Sequence, residues 1–337
     1  MWKLICLAVG LSAAAGLAAG CADAQQRTLR ISHQFPSASS LEEGDFRERL
    51  AKMFAAEIEK RTNGEIAFYI YPSSSLVKPH QQFTGMQSGS LDLSVFPMAY
   101  ATTYAPEVGV ALLPGLVTSY EQALAWEGSE VGDRVHAALR ARGVRMLAWG
   151  WQAGASVSTV PQTTPAEVAR TKVRGPGREV NFMLAAAGGG VTSIPSSETY
   201  SAMQSGVLDG VWTVPTSLLS FRLHEFAKHA TPSGDSPLWF AAVPLLMSAA
   251  TFDSLTPEQQ EIFIEVGHEM DEFAVKAAKE DDERFAAMFR EAGAEIHIMD
   301  AHTIAAWQAL AKESSWVEFA NDVKNGQDLV DLATQVN

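Results

Sequence analysis

A seven-residue stretch occurs twice in this chain at an offset of 117 residues. Met86-Gln87-Ser88-Gly89-Ser90-Leu91-Asp92 and Met203-Gln204-Ser205-Gly206-Val207-Leu208-Asp209 agree at six of seven positions, and Phe83 and Tyr200 stand at the same offset. The period far exceeds the units of solenoid repeats, which run to about 50 residues, so two similar lobes are expected. The flanking patterns agree with this. Apolar spacing predicts a strand over 28–31, then a helix over 45–61 with Phe46, Leu50, Met53, Phe54 and Ile58 on one face. Asn63-Gly64 stops that helix as a left-handed cap would. A strand over 66–71, a helix over 79–88 and a strand over 91–96 complete a β-α-β-α-β order, which calls for a parallel sheet covered by helices. The second copy repeats the order: strand 171–174, helix 178–187, a stop at Gly188-Gly189-Gly190, strand 191–194, helix 197–205 and strand 208–213.

The C-terminal part differs. Thr256-Pro257-Glu258-Gln259 is a capping box with Pro at the first helical position. Ile262, Phe263, Val266, Met270, Phe273, Ala277, Phe285, Met288 and Phe289 then keep helical spacing to a stop near Gly293. Such a helix would run roughly 50 Å at about 1.5 Å per residue, longer than one lobe. Its Glu280-Asp281-Asp282-Glu283 run reads as a solvated face.

The chain carries 25 Lys and Arg against 39 Asp and Glu, a formal net charge of −14. That surface repels nucleic-acid phosphates and anionic lipid, which excludes nucleic acid as an expected partner, while one buried Arg can still attract a small anion. Met1-Trp2-Lys3 followed by the apolar stretch 4–19 reads as an export signal, too short to span a membrane. Two cleavage patterns overlap after it. Leu17-Ala18-Ala19-Gly20-Cys21 resembles a bacterial lipobox with Cys21 as the lipidated residue, and Ala22-Asp23-Ala24 fits ordinary cleavage before Gln25. Either reading places the mature chain in the periplasm, the first with a lipid anchor. Cys6 and Cys21 are the only cysteines, so the mature domain is expected to have no disulfide and no thiol chemistry.

Catalytic patterns are nearly missing. The eight His residues form no H-E-x-x-H, and His224 and His229 sit five apart, on different helix faces. No zinc or other metal site is therefore expected. Neither a G-x-S-x-G elbow nor a Walker A loop occurs. Gly175-Pro176-Gly177 lacks the third glycine of a dinucleotide fingerprint, and its Pro removes a backbone donor. No cofactor is expected. Two lobes, export and no catalytic motif point to a bilobal periplasmic-binding-protein-like α/β fold, with two parallel or mixed sheets flanked by helices, that closes on a ligand. Lobe 1 is read as 28–149 plus about 240–256 and lobe 2 as 150–239. A helical part over 257–337 bridges them with its long helix.

At this point the residues carry a family resemblance. Gly89-Ser90-Leu91-Asp92, Leu113-Pro114-Gly115-Leu116, Thr164-Pro165-Ala166-Glu167-Val168 running on to Lys172-Val173-Arg174, the stretch 200–210 and Phe252-Asp253-Ser254-Leu255-Thr256-Pro257-Glu258-Gln259-Gln260 follow one another in order. From about Leu29 to Ala320 the chain resembles the DctP-type solute-binding subunit of the tripartite ATP-independent periplasmic (TRAP) transporters. The resemblance implies capture of an organic acid between the lobes by a monomer. Delivery to one small and one large integral membrane subunit follows, with ion gradients driving uptake. It also implies that Arg174 pairs with the ligand carboxylate. Arg174 ends the first strand of the second lobe, and ligands of open α/β sheets bind beyond the carboxyl ends of strands. A planar guanidinium grips a carboxylate through two parallel hydrogen bonds.

Two departures shape the expected ligand. Where family members often carry a second Arg, this chain has Ala153 in Trp151-Gln152-Ala153-Gly154, and where many have Asn before a Pro it has Trp212-Thr213-Val214-Pro215. One cation and nearby indoles suggest a monocarboxylate with an apolar or aromatic body. Arylated or branched keto and hydroxy acids would then outcompete succinate or malate. Trp151, Trp212 and Thr213 are candidate walls, with Phe35, Phe96, Tyr100 and Trp239 as further ones. Two alternatives stay open: a periplasmic enzyme on the same scaffold, with His33 as its candidate base, and the receptor of an ATP-driven transporter or sensor.

Overall fold

The computed structural model describes residues 26–336; the export signal and the cleavage readings at Cys21 and Ala22-Asp23-Ala24 lie outside the described residues. Two sheets organise the chain. The first runs in the order Ile66–Tyr71, Arg27–Ser32, Leu93–Val95, Leu245–Ser248, Val144–Ala148. The second runs Gly190–Thr192, Lys172–Arg174, Gly210–Thr213, Ala155–Ser158, His229–Thr231, Glu295–Ile296. In each sheet the first three strands are parallel and the fourth is antiparallel to the third. Both sheets are therefore mixed, and each receives its antiparallel strand only after the chain has crossed between lobes. A short antiparallel ribbon, Trp151–Ala153 against Phe240–Ala242, carries the two crossings.

The sequence repeat is a repeat of three-dimensional chemistry. Gly89 and Gly206 adopt φ of 73° and 70°, the left-handed conformation that favours glycine, and end the helices Gln82–Gln87 and Thr199–Gln204. Asp92 Oδ2 accepts from the Arg30 backbone N–H at 2.9 Å, and the Arg30 guanidinium reaches back to the Gly89 carbonyl at 3.3 Å. In the other lobe Asp209 Oδ2 accepts from the Lys172 N–H at 2.7 Å, and Lys172 Nζ reaches the Gly206 carbonyl at 2.6 Å. Strand registers match as well: Ile31 pairs with Leu93 and Val173 with Gly210, again 117 residues apart on the repeated strand. Ser32 in the first lobe thus holds the place of Arg174 in the second.

The long helix is Pro257–Glu291, 35 residues, opened by the Thr256–Gln259 capping box. Its stripe of Phe263, Val266, Met270, Ala274 and Phe285 is buried. It packs on the helix Phe46–Arg61 and the strand Val144–Ala148 of lobe 1, and on the helix Pro215–Ser220 of lobe 2. The acidic run is only partly a solvated face. Asp281 is buried and accepts from Thr216 Oγ1 at 2.6 Å, and Asp282 accepts from Tyr120 Oη at 2.8 Å. Adjacent carboxylates thus tie the helix to the second lobe and to the first. Among the described residues no helix is long and apolar enough to cross a membrane.

Candidate functional site

A cavity of ≈ 30 Å³ lies between the lobes, lined by Phe35, Arg47, Pro97, Ala99, Tyr100, Arg174, Pro176, Ser196, Thr213, Val214, Ser217 and Ala241 to Val243. A larger one of ≈ 580 Å³ adjoins it and shares Ala99, Tyr100 and Pro176; it adds His80, Arg178, Asn181, Phe182 and Ile194.

Arg174 ends the strand Lys172–Arg174 and is 2% exposed. Nε donates to the Ile194 carbonyl at 3.0 Å, Nη1 to the Trp212 carbonyl at 3.3 Å and Nη2 to Tyr100 Oη at 3.2 Å. All three partners are neutral, and among the described residues no carboxylate pairs with this guanidinium. Burial pushes its pKa below the ordinary arginine value, with Tyr100 opposing, yet an arginine stays charged at any physiological pH. Tyr100 comes from the turn Met98–Ala101 of lobe 1, and its hydroxyl also accepts from the Ser196 N–H at 3.0 Å and Gln34 Nε2 at 3.3 Å. One phenol therefore bonds to both lobes.

Arg47 is the charged residue of this cavity that sequence reasoning missed. It sits in the first turn of the helix Phe46–Arg61, 1% exposed, and its guanidinium lies 3.7 Å over the Phe35 ring. Asp45, the N-cap, takes Arg47 Nε at 2.8 Å and Nη2 at 2.6 Å, while Nη1 donates to Ser217 Oγ of lobe 2 at 2.8 Å. An Arg in the first helical turn reads as a solvated charge, and periodicity marks only the opposite, apolar face. The available signal was the Asp45–Arg47 pair two residues apart, a local ion pair that frees the arginine from needing water.

Each guanidinium has five N–H donors. Three are engaged in Arg47 and three in Arg174, which leaves two on each without a partner among the described residues. The electrostatics differ. Asp45 neutralises Arg47, whereas Arg174 carries an uncompensated charge.

Of the side chains expected at the site, Arg174, Tyr100, Phe35 and Thr213 line the cavity. Five do not. Trp151 stacks on Trp149 at 5.2 Å and meets Trp126 edge-on at 5.4 Å in the core of lobe 1. Trp212 packs its ring on Trp307 at 5.1 Å and contributes only its carbonyl. Trp239 covers Gly154 so closely that a Cβ there would stand 2.0 Å from the indole. Phe96 is fully buried with its ring edge-on to Tyr100 at 5.9 Å. The physical reason is common to these four: a large apolar ring gains most where it is sealed from water, and strand and ribbon positions supply such places. His33 is also fully buried, with Nε2 2.5 Å from Glu48 Oε2, and does not line the cavity as a base would have to.

Comparison with known proteins adds to this geometry. A family model described as "Bacterial extracellular solute-binding protein, family 7" and called DctP matches residues 37–322. A solute-binding protein of Albidiferax ferrireducens is 42% identical over 313 residues, 93% of this chain and 92% of that one. The C4-dicarboxylate-binding periplasmic protein DctP of Rhodobacter capsulatus is 27% identical over 263 residues, 77% of this chain and 78% of that one. Among solved structures, a TRAP periplasmic solute-binding protein from Rhodoferax ferrireducens with bound malonate superposes with a TM-score of 0.89 at 42% identity, covering 91% of this chain and 98% of that one.

Proposed function

The chain belongs to family 7 of the bacterial extracellular solute-binding proteins, the DctP family of TRAP transporters, and from that premise we propose that it captures a compact organic acid between its lobes and hands it to two integral membrane subunits. It binds rather than transforms its ligand. One observation carries the reading: Arg174 is buried and charged with no carboxylate partner among the described residues. A buried, unpaired ion costs several kcal/mol, and a ligand carboxylate on its two uncommitted N–H groups removes that cost.

The remaining donors of Arg47 favour a second acceptor on the ligand, either another carboxylate or a hydroxyl or keto oxygen. An aromatic body loses its support in the inner cavity, because Trp151, Trp212 and Trp239 face elsewhere. Malonate in the Rhodoferax ferrireducens protein agrees with a short acid. The adjoining cavity of ≈ 580 Å³, with Phe182 and Ile194 on its wall, supports a second reading in which the carboxylate sits on Arg174 and a bulky monocarboxylate extends outward.

Calorimetry with malonate and phenylpyruvate separates the two. The protein should first be refolded to remove any acid carried through purification. Malonate should bind at least about tenfold tighter, or 1.4 kcal/mol; the reverse order selects the outward, apolar reading. Arg174→Ala should weaken malonate more than about a hundredfold, roughly 3 kcal/mol, and Arg174→Lys should not restore it, since a point charge lacks the fork. An unchanged dissociation constant for Arg174→Ala would remove Arg174 from the site. The lipobox at Leu17 to Cys21 further supports lipidation of Cys21, for which the mass of the mature N-terminus is the test.

A further inference from the structure

At the far edge of the second sheet, three and four strands away from Arg174, the strands His229–Thr231 and Glu295–Ile296 run parallel with His229 opposite Glu295. Side chains of a strand alternate between faces, so His297, two residues beyond Glu295, returns to the same face. The His297 N–H donates to the Ala230 carbonyl at 2.9 Å, which extends that register by one bond. Two imidazoles and a carboxylate, 68 residues apart in sequence at the widest, are thereby brought together by pairing and pleat alone.

Their ligand atoms form one triangle. His229 Nδ1 lies 2.9 Å from His297 Nε2, and Glu295 Oε2 lies 3.7 Å from the first and 3.9 Å from the second. A tetrahedral zinc ion with bonds of about 2.0–2.1 Å holds its ligand atoms about 3.3–3.4 Å apart. Each edge of the triangle is within about half an ångström of that value, so small rotations of two half-buried rings and one exposed carboxylate suffice.

We infer that His229, Glu295 and His297 form a binding site for a transition-metal dication of the Zn²⁺ class, with water as the fourth ligand. Two imidazoles and one carboxylate suit zinc and its neighbours, whereas magnesium and calcium require oxygen donors. The two-residue strand Glu295–Ile296 is where the chain returns from the long helix to the second sheet. A metal there clips that return to the strand it pairs with.

The probe is ZnCl₂ added to the purified protein after chelator treatment, with MgCl₂ as the control. Titration calorimetry should show one zinc per chain and no magnesium, and the thermal midpoint should rise with zinc concentration as a native-state ligand requires. His297→Gln and Glu295→Gln should each weaken zinc at least tenfold and abolish the thermal shift. Both lie at an exposed sheet edge, and their far-ultraviolet circular dichroism in chelator should match the unaltered protein. No zinc binding overturns the inference, as does equal affinity in both variants. The first outcome leaves the two rings as a plain histidine–histidine hydrogen bond, and the second moves the zinc elsewhere on the chain.

Discussion

Arg47 and Arg174 face one cavity from opposite lobes but in opposite electrostatic states, and Asp45 makes the difference. Asp45→Asn keeps a good N-cap while removing the charge that compensates Arg47. The cavity would then hold two unpaired cations in place of one. Calorimetry of that variant should show malonate gaining on lactate by about tenfold relative to the unaltered protein, with some loss of global stability. An unchanged ratio would mean that Arg47 does not face the ligand. The place of Arg174 at the cavity was legible chiefly through the family resemblance, with its position at the end of a parallel strand in support. Arg47 was not, since its burial depends on Phe35 beneath it and Ser217 of the other lobe above it. Those contacts join positions up to 170 residues apart, and no local pattern encodes them. The tryptophans failed for a related reason: composition counts rings but does not say which face of a strand they occupy.

Among the elements, those with local punctuation were read closely. The helix Phe46–Arg61 ends at a Thr62-Asn63-Gly64 stop with Asn63 and Gly64 both at positive φ, and Pro257 opens the long helix at its capping box. Pro244 divides the apolar run 238–247 into two strands that belong to different sheets, a division that apolar spacing alone does not encode. Two experiments belong at this scale. Asp92→Ala and Asp209→Ala should each cost about 1–2 kcal/mol, since each strips a carboxylate from a strand N–H and a basic side chain. Lying in separate lobes, they should add in the double variant within about 0.5 kcal/mol by urea denaturation. A large coupling would show that the two copies are not independent units. Gly154→Ala drives a methyl into the Trp239 indole in the ribbon between lobes. It should cost about 1–3 kcal/mol by the same measurement, and a neutral result would mean that Trp239 is free to move aside.

Across the whole molecule, buried carboxyls set the response to pH. Desolvation raises Glu179, Asp271 and Asp282 each to about 7. The folded chain then holds those protons more tightly than the unfolded chain, whose carboxyls titrate near 4. Their contribution is complete below about pH 4 and is lost as pH rises through 7. Glu127 acts in the opposite sense. A hydrogen bond from His136, and another from Trp149 Nε1, lower it to about 2 against the opposing effect of burial. Its contribution is present above about 4.5 and lost as pH falls toward 2. The thermal midpoint should therefore be higher at pH 5 than at pH 8 by roughly 10 °C, and Glu179→Gln should flatten that slope. A midpoint that climbs between pH 5 and 8 would show that these acids are solvated.

Asp281 and Asp282 grip different lobes from neighbouring positions on one unbroken helix of 35 residues. Adjacent anchorages leave no length of helix between them to absorb a movement of one lobe against the other. Any parting of the lobes that keeps both bonds must therefore turn about this one point of the rod, which makes the carboxylate pair a pivot rather than a tether.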